Sequence, residues 1–144
     1  YTAADRKYNS NKIKEYLDKD YIVVLNRYTS SNMAHQGSKY ESSEERFYMY
    51  QWIDKLEYWL LGLPKPDLTI FLSLPPNYSH KLLNQQISFS FDHTDNYDQE
   101  KVFLAYLELS ELYNWHKIEC IKDDKCKSIL EINKEIMSIV QDYL

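Results

Sequence analysis

Gly37 and Gly62, 25 positions apart, are the only glycines in this 144-residue chain. Nucleotide-binding α/β domains generally use more, because glycine lets backbone come close to phosphates. The pattern G-x-x-x-x-G-K-[ST] is absent, and two glycines so spaced cannot form it. Cysteine is as scarce: Cys120 and Cys126 alone, with five residues between them, fit neither a disulfide framework nor the paired spacing of a zinc site. A reducing cytoplasm is the compartment expected. Arginine occurs only at positions 6, 27 and 46, and the 17 basic residues are outnumbered by 22 acidic ones, leaving a net charge of -5 with no basic block. That excludes a protein whose affinity comes from neutralising the phosphates of a nucleic-acid polymer. No apolar run approaches the roughly 18 residues of a membrane span, and no charged-then-apolar leader opens the chain. The first residue is Tyr1, not Met, and a helix-like segment begins at once, so the natural N-terminus is expected elsewhere.

What is present is the material of a core: 44% hydrophobic and 15% aromatic residues, enough for one globular domain over residues 1–144. Helical spacing of Tyr8, Ile13, Tyr16 and Leu17 predicts a surface helix over about residues 3–19. Residues 21–25, Tyr-Ile-Val-Val-Leu, form a continuous β-branched run expected to be a strand buried on both faces of a parallel sheet. It turns abruptly polar at Asn26-Arg27-Tyr28. A stretch rich in Ser, Asn and Gly follows, with Ser42 or Ser43 able to cap a helix over about 44–61. There Phe47, Tyr50, Trp52, Ile53, Leu56, Trp59 and Leu60 make an apolar stripe assigned to the core. Gly62 suits a helix C-cap, and Pro64 and Pro66 stop the helix.

A second buried strand is expected over 68–74, ended by Pro75-Pro76, and a short helix reaches about residue 86. Residues 87–97 are expected to be an exposed loop. A helix over about 98–113, a strand over 117–121 and a closing helix over 128–143 complete the series. Strands alternating with helices imply an α/β fold with a parallel sheet, whose ligands gather at the carboxyl ends of the strands. Arg27 stands at such an end, where a guanidinium can grip a phosphate bidentately or make a surface ion pair. The acidic cluster at 92–98 matches no calcium-loop pattern, and the four histidines show no nucleophile-base pairing. No metal site is expected.

The segment Leu25-Asn26-Arg27-Tyr28-Thr29-Ser30-Ser31-Asn32-Met33-Ala34-His35-Gln36 resembles the Asp-Arg-Tyr motif of thymidylate kinases and the Ser-Asn-x-Ala-x-Gln that follows it. Ala3-Ala4-Asp5-Arg6, Leu56-Glu57-Tyr58 and Gly62-Leu63-Pro64-Lys65-Pro66-Asp67-Leu68 match in the same order. The resemblance covers most of the chain. It implies a P-loop kinase-like parallel sheet flanked by helices, incomplete here because the first strand and the P-loop lie outside the sequence. It also implies transfer of the ATP γ-phosphoryl to dTMP with Mg2+, and a cytoplasmic homodimer. Carried over position by position, Arg27 would hold the acceptor phosphate beside Asn26, Arg6 would lie near the nucleoside, and Gln36 with Ser31 or Asn32 would line the base pocket. Lys81 would be the cation of a lid-like segment at about 80–97.

The chain departs from the family at several of these positions. Asn26 replaces the family aspartate and loses the charge that favours magnesium or its waters. The aromatic that stacks on thymine falls at Thr2, and the lid-like segment carries no arginine. A degenerate homologue that binds a nucleotide or a partner without catalysis, or one half of a split kinase, are the alternatives. Without a central first strand, the remaining strands are expected to leave edges unpaired.

Overall fold

The computed structural model describes residues 2–85 and 96–144, which form two compact units, 1–67 and 68–144. The first unit is helical. Helix α1 (Thr2–Leu17) is followed by α2 (Thr29–Gly37) and α3 (Ser43–Asp54), which continues directly into a π-helical turn, Lys55–Leu60. Ser42 stands at the N-cap of α3, but its side chain makes no capping bond. Helix α2 packs on α3 around Met33, Ala34, Tyr50 and Ile53, all at most 2% exposed. Gly37 is needed for that contact: a Cβ there would stand 2.2 Å from Cε1 of the buried Tyr50 ring. Gly37→Ala is therefore expected to destabilise the protein by about 1–3 kcal/mol, as overpacking does, despite alanine's better helix propensity; a denaturant melt measures it.

The apolar stripe expected along α3 is only partly the core. Tyr50 and Ile53 are buried, whereas Trp52, Trp59 and Leu60 are 59, 83 and 66% exposed. The π-turn accounts for the change beyond Asp54. The Leu61 N–H donates to the Leu56 carbonyl five residues back, so the helix widens and the outward face shifts onto Trp59 and Leu60. Gly62, at φ +64, then lets the chain reverse, with the Leu63 N–H bonded to the Glu57 carbonyl and Leu63 buried. The expected C-cap is thus present.

The second unit holds a two-stranded parallel sheet of β1 (Ile70–Ser73) and β2 (His116–Glu119), in register Ile70 to His116 through Ser73 to Glu119. These are the second and third expected strands. Between them in sequence lie α4 (Pro76–Gln85) and α5 (Asn96–Leu112). Phe71 stacks on Tyr106 at 5.5 Å and meets Phe103 at 6.3 Å, and the core is closed by Ala105, Leu109, Ile118 and Cys120. A hairpin absent from the expectation, β3 (Ile121–Lys122) with β4 (Lys125–Cys126), turns through Asp123 and Asp124, both at positive φ. That is the conformation two-residue hairpin turns require, and Asp tolerates it. Helix α6 (Ile129–Gln141) starts on a complete capping box between Ser128 and Glu131.

Residues 21–25 form no ladder with any described residue, and Ile22 and Val24 are 67 and 87% exposed. The expected buried strand is not formed. A β-branched run becomes a strand by pairing its backbone N–H and C=O groups with neighbours, and no described segment supplies them. The α/β class with a small parallel sheet stands, as a partial P-loop kinase-like architecture.

Candidate functional site

Glu57 lies on the π-turn among apolar neighbours and is 0% exposed. An isolated carboxylate in such a place carries a desolvation penalty of several kcal/mol, so the chain surrounds it with donors. Arg6 of α1 reaches it with both prongs, Nε to Oε2 at 2.7 Å and Nη2 to Oε1 at 2.5 Å. The Thr29 hydroxyl, at the start of α2, donates to Oε2 at 2.8 Å, and the Asn32 amide donates to Oε1 at 2.8 Å. Each oxygen thus accepts two hydrogen bonds, from α1 on one side and α2 on the other. Burial pushes the Glu57 pKa up, but the bonds from Arg6, Asn32 and Thr29 outweigh it and hold the carboxyl below its ordinary range. Beside it, burial above all, with the Glu57 charge adding and Arg6 opposing, raises the Tyr28 phenol, whose hydroxyl donates to the Pro64 carbonyl at 3.2 Å. Burial also pushes Tyr58 up to about 12.

Arg27 follows residues 21–25 with φ +64, a left-handed conformation rarely adopted by a residue with a β-carbon and typical of functional sites when it occurs. Its side chain lies back along one face of α2. Nε donates to Ser31 Oγ at 2.9 Å and Nη2 contacts His35 Nε2 at 2.6 Å. Positions 27, 31 and 35 are four apart, the spacing that aligns side chains on a helix. One edge of the guanidinium, Nε with Nη2, is therefore engaged. The end-on edge between Nη1 and Nη2 has the fork geometry to take two oxygens of one anion.

The structure brings together four of the positions singled out in the sequence, as two pairs. Arg6 and Asn32 meet on Glu57, Arg27 and Ser31 meet on α2, and Asn26 sits exposed in the bend before Arg27. Gln36 turns to the α2 terminus, where its Oε1 accepts from Lys39 Nζ at 2.9 Å. Lys81, in the other unit, lies on α4 with its ammonium 5.0 Å above the Tyr78 ring. Residues 86–95 of the lid-like segment, and with them most of the acidic cluster at 92–98, fall outside the described residues. Glu57 is the residue that sequence reasoning did not place in the site. Its signal was an acid inside an apolar helical stripe, beside Tyr58 in a motif already noted. Among the described residues no group of three or more His, Cys, Asp or Glu could hold a metal ion, and no helix is long and apolar enough to cross a membrane.

Comparison with known proteins gives a consistent result. The family model described as thymidylate kinase matches residues 1–136. A probable thymidylate kinase of Sulfolobus acidocaldarius is 34% identical over 142 residues, covering 98% of this chain and 64% of the relative. A probable thymidylate kinase of Thermococcus onnurineus is 32% identical over 149 residues, covering 99 and 63%. The thymidylate kinase of Nitrosomonas europaea is 26% identical over 142 residues, covering 98 and 62%. The chain therefore spans just under two-thirds of the length of these relatives.

Proposed function

The chain belongs to the thymidylate kinase family, a family of phosphotransferases, and from that premise we propose that it carries the acceptor side of a dTMP kinase site. In this reading the protein transfers the γ-phosphoryl of ATP to dTMP, giving dTDP for dTTP synthesis. It works as a cytoplasmic homodimer, and residues 1–144 belong to one kinase-like domain with a lid at about 80–97. The observation that carries the proposal is the presentation of Arg27: a left-handed backbone and two hydrogen bonds to α2 fix one edge of the guanidinium and leave the other for a phosphate.

Phosphoryl transfer is mostly positioning and neutralisation of charge. Arg27 binds and orients the acceptor phosphate. Arg6 and Asn32, held by Glu57, with Ser31 and Gln36 nearby along α2, form the nucleoside side of the pocket. Donor-side chemistry does not fit the residues present. The family uses ATP and Mg2+, yet position 26 is a neutral Asn and the lid-like segment has no arginine. Weak or absent ATP binding is expected of residues 1–144 by themselves.

The neutral Asn26 and the arginine-free lid-like segment favour a second reading, a non-catalytic homologue that binds a nucleotide or a partner, with one half of a split kinase as a further form of it. A coupled assay with ATP and dTMP on the natural full-length product, beside its Asn26→Asp variant, separates them. The kinase reading expects turnover, raised about tenfold or more when Asp restores the charge. No turnover in either protein would sink the enzyme reading and leave the binding one.

A further inference from the structure

Nothing in the family comparison assigns a role to His35, yet it makes the shortest contact to Arg27. An arginine side chain keeps its proton in proteins and has no acceptor. At 2.6 Å from Nη2, the His35 Nε2 must therefore be the acceptor, which makes the ring neutral with its proton on Nδ1. Ser31 fixes Nε of the same guanidinium. With both bonds in place the group can neither rotate nor swing away from α2, and its end-on edge keeps one direction.

Burial above all, then the positive charges of Arg27 ahead of α2 and Lys39 beyond its C-terminus, favours the neutral form of the imidazole. From α3, packed on α2, come the aromatic and apolar Tyr50 and Ile53. Protonation of His35 would set an N–H against an N–H and release Arg27.

We propose that neutral His35 is the positioning residue for Arg27, so that the grip on a nucleoside monophosphate strengthens as the imidazole gives up its proton. The proposal rests on the reading of Arg27 as the phosphate-holding residue. It differs in sign from the simple alternative. If His35 instead met the phosphate itself as a cation, binding would strengthen in acid.

The test is titration of the full chain with dTMP and with thymidine from about pH 4.5 to 8. Wild type is compared with His35→Gln, which keeps an acceptor without a titrating ring, and with His35→Phe, which keeps the ring shape without the acceptor. Taking the ratio to His35→Gln at each pH cancels titration of the dTMP phosphate. The expected result is equal affinity of wild type and His35→Gln at pH 8, and a wild-type loss relative to His35→Gln that sets in below the ordinary histidine range and approaches about 5–10-fold once the ring is fully protonated. His35→Phe is expected to be weak throughout by a similar factor, as loss of one charge-assisted hydrogen bond implies, with thymidine binding unaffected. Tighter wild-type binding in acid, or identical profiles for all three proteins, would overturn the proposal.

A second readout is independent of dTMP. The Arg27 side-chain nitrogen-15 shift is expected to move between pH 8 and acid in wild type and to stay in place in His35→Gln, the two proteins being compared at each pH because exchange of Nε–H with water itself slows in acid. If that holds while dTMP does not bind, the phosphate reading fails and the positioning contact survives. If the resonance does not respond to pH or to substitution, the positioning role fails by itself.

Discussion

Glu57→Ala is expected to lower the free energy of unfolding by about 3–5 kcal/mol, the range for breaking a buried ion pair by removing one partner. The loss is large because four donors converge on this carboxylate. Removing it leaves the Arg6 charge, only 17% exposed, without its counter-ion, and the Thr29 and Asn32 donors without acceptors. Glu57→Gln separates charge from shape. It keeps one carbonyl oxygen but points an amide N–H at donors, and an intermediate loss is expected. The pH dependence has a definite sign. The folded-state pKa of Glu57 is depressed, so its contribution is fully present above the ordinary Glu range and disappears as pH falls through the folded value. Acid unfolding of wild type should therefore be steeper than that of Glu57→Gln. Urea melts at several pH values check both the magnitude and the slope.

Arg27→Ala is expected to weaken dTMP binding by about 10–100-fold while leaving stability within about 0.5 kcal/mol of wild type. The side chain is exposed and its partners lie on its own neighbouring helix, so its removal opens no cavity. What disappears is a charged, planar fork facing a dianion. Arg27→Lys should recover only part of the affinity, because an ammonium offers one point charge and cannot hold Ser31, His35 and two phosphate oxygens at once. Calorimetric titration beside a thermal melt measures both quantities, and the contrast with Glu57→Ala separates a residue proposed to grip the ligand from one that holds the helices together.

The sequence pattern and the structure agree where local signals and long-range partners coincide. Helices α1, α3 and α6 follow from apolar spacing, with a side-chain cap at α6 and none at α3, and Gly62 ends the π-turn at the expected place. The parallel pairing of β1 with β2 follows from two short apolar runs separated by helical patterns. The Val-Val run at 23–24 carries as clear a strand signal, yet it forms no ladder, because pairing is a property of two segments and not of one. Helix α2 was obscured by its composition: Thr29-Ser30-Ser31-Asn32 reads as loop chemistry, and the helix is stabilised instead by packing of Met33, Ala34 and Gly37 on Tyr50. Within the site, Arg27 was visible from its place after the apolar run. The partnership of Arg6 with Glu57 spans 51 positions and has no local signature, and the outward turn of Trp59 depends on a π-turn that α-helical periodicity does not anticipate.

The most direct measurement of the central claim is the affinity of wild-type protein for dTMP against that for thymidine, under one buffer and one salt concentration. Recognition of the phosphate by a prepositioned Arg27 predicts dTMP binding at least about tenfold tighter, the equivalent of one charge-assisted contact. Equal affinity for the two would contradict it.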